Sequence, residues 1–62
     1  MSGFTTNNSV YKVDTKNRTI SGGIFGNNWY EYSRATILVG TEARIELLNG
    51  QIIQTSTVVA YI

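Results

Sequence analysis

Glycine and asparagine interrupt this chain about every ten residues, and between the interruptions apolar and polar side chains alternate. That rhythm suits short strands joined by tight turns. Valine, isoleucine and threonine fill 20 of the 62 positions, and seven aromatics bring the strand-preferring residues to nearly half the chain. The expected fold is all-β: five or six short antiparallel strands in a small SH3-like barrel or a strongly twisted sheet. The length allows one domain. Residues 1–8 are expected as a flexible arm anchored only by Phe4, and residues 9–62 as the β domain.

The alternation places the strands. Ser9 to Asp14 puts Tyr11 and Val13 on one face. Asp14-Thr15-Lys16-Asn17 carries the residues of a type I turn, and Arg18 to Ser21 returns as the second strand. Gly22, Gly23 and Gly26 predict a mobile loop or a sharply bent ribbon. The third strand, Trp29 to Ala35, sets Trp29, Glu31 and Ser33 on one face and Tyr30, Tyr32 and Arg34 on the other. Glu42 to Leu48 turns Ala43, Ile45 and Leu47 toward the core. Asn49-Gly50 predicts a two-residue type I′ hairpin into a fifth strand, Gln51 to Thr55. A kink at Ser56-Thr57 leads to a short closing strand, Val58 to Ile62.

Composition excludes several chemistries. Without His, Cys or Pro the chain has no disulfide and no ordinary zinc, copper, haem or iron–sulfur ligand set. Ser-His and Cys-His nucleophiles are excluded with them. No cofactor and no metal is expected. Five Lys/Arg against four Asp/Glu give a net charge of +1, far short of the basic footprint of most nucleic-acid binders. No run of about 20 apolar residues exists to span a membrane as a helix. The opening Met-Ser-Gly-Phe-Thr-Thr-Asn-Asn lacks the basic segment and apolar core of a signal peptide, so a cytoplasmic location is expected. The sequons at Asn7 and Asn17 then read as chance matches in an Asn/Thr-rich chain.

Tyr11-Lys12-Val13-Asp14, Trp29-x-x-Tyr32, Gly40, Leu48-Asn49-Gly50 and Thr55-Ser56-Thr57-Val58-Val59 together form a pattern over residues 9–62. It resembles small uncharacterised bacterial and phage proteins with an initial Tyr-x-Val-Asp, a central Trp-x-x-Tyr and a terminal Thr-Ser-x-Val. The resemblance implies a compact β fold and a phage or prophage origin. It carries no activity and assigns no residue a role.

Four constellations bear on function. Phe25, Trp29, Tyr30 and Tyr32 cannot all point inward from a regular strand, so part of the cluster is expected to meet a partner. The same rings with Arg34 on the Tyr30/Tyr32 face would suit stacking of single-stranded bases, against which the low net charge argues. Glu42 and Glu46 lie about 13 Å apart by strand rise, too far for a carboxylate pair in glycoside hydrolysis. Gly22-Gly23-x-x-Gly26 precedes a strand, whereas phosphate loops precede a helix.

The uncharged strand Val58 to Ile62 would aggregate if left as an open edge, so it must be central or pair with another copy. The function expected is a non-catalytic protein-interaction module, homodimeric, of the kind a phage uses to occupy a host protein. Its interface residues would be Phe25, Trp29, Tyr30, Tyr32, Arg34, Val59 and Tyr61. The alternatives are a single-stranded nucleic-acid-binding barrel and a small-ligand binder with its pocket at an oligomer interface.

Overall fold

Six strands follow one another along the chain in a computed structural model that describes residues 2–62. They are β1 (Gly3–Thr6), β2 (Val10–Asp14), β3 (Thr19–Gly22), β4 (Tyr30–Thr36), β5 (Glu42–Leu47) and β6 (Ile52–Tyr61), with one 3₁₀ turn at Gly23–Phe25. Every strand runs antiparallel to its chain neighbours, and β6 returns to pair with β1. The result is a closed up-and-down barrel, all-β as the alternation predicts. Closure leaves no open edge, the usual route by which small β proteins aggregate.

Closure corrects the expectation for the N-terminal segment. Residues 3–6 are not part of an arm but the strand that completes the barrel, with Phe4 opposite Tyr11 on one side and Tyr61 on the other. Phe4 is wholly buried, and the segment is docked by this one large apolar residue together with ladders to β2 and β6. The C-terminal strand likewise finds both partners within the chain. The first half of β6 pairs with β5 and the second half with β1.

The core is a single cluster in which Phe4, Tyr11, Ile20, Ile45 and Val58 are the largest side chains fully enclosed. Phe4 stacks on Tyr11 with centroids 4.8 Å apart, and Phe25 meets Tyr11 edge-on at 6.2 Å. The 3₁₀ turn that carries Phe25 folds over this end of the barrel. Gly22, Gly23 and Gly26 all have positive φ, and Gly22 N–H donates to Gly26 C=O at 2.9 Å. Of the two outcomes expected for the glycine segment, the structure has the sharply bent ribbon.

Three register shifts shape the outer wall. On β4 the shift falls between Tyr32 and Arg34, so Tyr32 points inward opposite Leu47 while Arg34 lies outside opposite Glu46. Where β6 leaves β5, Ala43 N–H donates to the Thr55 hydroxyl at 3.2 Å, and that hydroxyl donates to Ser56 C=O at 2.7 Å. Buried Thr55 thus satisfies a backbone amide that the irregular ladder leaves over. Where a kink at Ser56-Thr57 and a separate closing strand are expected, the structure has a register shift inside one continuous strand. The third shift, between Thr5 and Thr6 of β1, leaves Val59 of β6 without an opposing residue.

The hairpin at Asn49-Gly50 is present but is not the two-residue type expected. Leu47 N–H donates to Gln51 C=O and Gly50 N–H to Leu47 C=O, and of the loop residues only Gly50 has positive φ. That is a three-residue loop, Leu48-Asn49-Gly50: a type I turn followed by a glycine bulge. Asn49 Oδ1 accepts from Gln51 N–H at 2.8 Å, which holds Asn49 at negative φ and leaves the left-handed conformation to Gly50 alone.

Candidate functional site

In an antiparallel barrel the connections alternate between the two ends. One end therefore collects the loops 7–9, 23–29 and 48–51, and the other collects 15–18, 37–41 and the chain termini. The ends differ in chemistry. The loops 7–9, 23–29 and 48–51 contain no charged residue; they carry five Asn, one Gln, Trp29, Ile24 and Leu48. All five cations and four carboxylates lie on β2, β4, β5 or the 15–18 turn. The nearest charges along the chain are Glu31, two residues beyond Trp29, and Glu46, two residues before Leu48.

This uncharged end presents its apolar side chains to solvent. Trp29 is 52% exposed, Ile24 60% and Leu48 63%. Between the 23–29 loop and the β5–β6 hairpin lies a depression of about 170 Å³, lined by Ile24, Phe25, Tyr30, Leu47, Gln51 and Ile53. Tyr30 leans on Phe25 at 5.3 Å with one side open, so the aromatic run Phe4, Tyr11, Phe25, Tyr30 passes from the core to the surface here.

The seven residues expected at an interface do not form one patch. Trp29 and Tyr30 share the uncharged end, but Phe25, on which Tyr30 leans, is buried and belongs to the core. Tyr32 is also core. Arg34 and Val59 stand on the barrel wall, Arg34 set there by a register shift and Val59 by its place next to inward Val58. Tyr61 sits toward the opposite end, where its hydroxyl donates to Ile37 C=O at 3.1 Å and accepts from Val39 N–H at 3.3 Å. Ile24 and Leu48 were missed by strand periodicity because they lie in turns. Their signal was an apolar residue beside Gly or Asn, where a solvated turn would ordinarily hold a polar one.

The base-stacking arrangement is not the one expected. Arg34 lies over neither tyrosine ring and stands 3.9 Å from a carboxylate oxygen of Glu46. It is Arg18 whose guanidinium lies over the Tyr32 ring, 5.6 Å from its centroid, and it also donates to Ser33 C=O. Tyr32, buried and covered in this way, offers no free face to a base.

At the charged end a cleft of about 520 Å³ opens between the 15–18 turn and β4. Its floor is Val13, Tyr32, Ala35 and Ile37, and Arg18 and Arg34 stand at its rim. The adjoining turn is held by Asp14, whose carboxylate accepts from Asn17 Nδ2 and from the backbone amides of Lys16 and Asn17. The Asn17 side-chain amide, followed by its backbone N–H, holds the Asp14 carboxyl below its ordinary value of 3.8. Among the described residues, no three His, Cys, Asp or Glu side chains gather where they could hold a metal ion. No helix among the described residues is long and apolar enough to cross a membrane.

No protein-family model, curated protein or solved structure matches this chain.

Proposed function

We propose that this chain is a non-catalytic interaction module of the cytoplasm that works as a homodimer, and that the end carrying Trp29, Tyr30, Ile24 and Leu48 is its contact surface. The observation that carries the reading is the absence of charge from all three loops at that end, together with the exposure of Trp29, Ile24 and Leu48 there. In a two-fold contact each patch meets its own copy, so any fixed charge near the axis faces a like charge. This end of the barrel avoids that penalty, whereas the walls of β2, β4 and β5 carry charged side chains. A standard interface buries about 800 Å² per partner, about a fifth of the 3957 Å² this chain exposes. The contact therefore extends from the loops onto the adjoining wall. Trp29 and Tyr30 are its anchors, since large rigid rings contribute most per residue at interfaces.

Placing a charge on the patch tests this. Leu48→Glu would set two carboxylates near the axis in the dimer while disturbing no buried group, and should shift sedimentation toward the monomer without unfolding the barrel. Val59→Glu, on the wall, should leave the mass unchanged. Equal behaviour of the two variants would overturn the assignment of the surface.

A further inference from the structure

The cleft at the opposite end has a different chemistry, and it takes no part in the contact proposed above. Two of the chain's five cationic side chains, Arg18 and Arg34, line it, while none of the four carboxylates does. Its volume, about 520 Å³, lies within the range of small-molecule sites. Arg18 is the only non-glycine residue with positive φ among the described residues, at 55°. Its guanidinium is held by the Tyr32 ring and by Ser33 C=O. One donor is used in that contact and the others remain, so the group is fixed in place but not exhausted. Arg34 is 77% exposed, and its Glu46 neighbour, at 3.9 Å, is too distant for a hydrogen bond.

We propose that this cleft binds an organic monoanion: a carboxylate, held by the guanidinium groups of Arg18 and Arg34, carried on an apolar group that lies over Val13, Ala35 and Ile37. Planar guanidinium forks suit carboxylates through paired hydrogen bonds. The floor disfavours a purely ionic ligand, since a fully hydrated anion would leave the partly buried Ala35 and Ile37 uncovered. The surrounding charge favours a singly charged head. Glu46 stands beside Arg34, so that cation is partly balanced and a dianion gains little. Such a carboxylate comes from either of two sources, a free aliphatic acid or the C-terminus of a peptide ending in an apolar residue.

Backbone amide shifts of the labelled full chain, followed on titration, decide between them. The probes are hexanoate with its neutral counterpart hexanamide, an acetylated Ala-Ala-Leu peptide as free acid and as amide, and inorganic phosphate. The expected result is saturable shifts confined to residues 13–18 and 32–37, caused by one or both free acids and by neither amide. Arg34→Gln, a change at an exposed side chain, should weaken binding about tenfold while leaving the other resonances in place. Saturation by hexanoate identifies a free acid as the ligand source; saturation by the peptide alone identifies a C-terminus. The proposal is overturned if neither acid shifts these residues, if the amides bind as well as the acids, if phosphate binds as tightly as hexanoate, or if Arg34→Gln binds unchanged.

Discussion

Gly23 lies so close over the ring of Tyr11 that a Cβ at position 23 would fall 2.1 Å from Cζ. The contact is part of the lid of the barrel. Ile24 N–H, one residue on, donates to the Tyr11 hydroxyl at 3.2 Å, and Phe25 then drops onto the ring edge. The bent ribbon that delivers Trp29 and Tyr30 to the surface is thus built on a core tyrosine.

Gly23→Ala should therefore be severe. The methyl group meets a wholly enclosed ring and the residue has φ 47°. Both effects oppose folding, and together they should remove about 3 kcal/mol. Gly50→Ala provides the comparison. Its φ is 89° but nothing lies within 4 Å of the added carbon, so only the backbone term of about 1 kcal/mol remains. Chemical denaturation of the two variants checks the order. Equal losses would contradict the close packing of the lid.

Position 18 tests the seam between β3 and β4. Only two residue pairs, Thr19 with Glu31 and Ile20 with Tyr30, join these strands, and Arg18 clamps the seam from its end through Tyr32 and Ser33. Arg18→Ala keeps the unfavourable φ and loses the clamp, so it should destabilise by about 1 kcal/mol. Arg18→Gly relieves the backbone while losing the same contacts, and its net change should be smaller. In both variants amide hydrogen exchange should quicken first at Tyr32, whose N–H donates to Arg18 C=O at 3.0 Å. A uniform increase through all six strands would contradict a local clamp.

How much of this architecture was legible depended on how local its cause was. The β2–β3 and β5–β6 hairpins, with Tyr11, Val13, Ala43, Ile45 and Leu47 inward, follow from alternation and turn residues a few positions apart. β1 was missed because Gly3–Thr6 holds one large apolar residue and is a strand only through β2 and a C-terminal strand nearly the whole chain away. The turning of Arg34 to the outside was missed for another reason. A one-residue register shift reverses every later side chain, and no propensity of Tyr32, Ser33 or Arg34 marks it. Of the candidate site, Trp29 and Tyr30 were legible as more aromatic surface than one strand face can bury, whereas Ile24 and Leu48 became visible only when the barrel brought their loops to one end.

Acid sensitivity should centre on the β2–β3 turn. The Asp14 carboxyl is lowered in the folded chain, so the folded state binds its proton less readily than the unfolded state does. Its contribution is complete above the ordinary value of 3.8 and is lost as pH falls through the lower folded value. Asp14→Asn should abolish that part of the acid dependence, and Asn17→Ala should reduce it, because the Asn17 amide is the first cause of the shift. Thermal melts from neutral pH to below this range check it. An identical acid profile for Asp14→Asn and the parent chain would refute the assignment.

The proposed dimer is tested most directly by light scattering on the unmodified chain across a dilution series. The chain mass is 6.9 kDa. The account predicts twice that mass at high micromolar concentration, falling toward 6.9 kDa on dilution, with Trp29→Ala moving the transition to higher concentration. A mass of 6.9 kDa throughout, at high micromolar concentration and with the barrel folded, would contradict it.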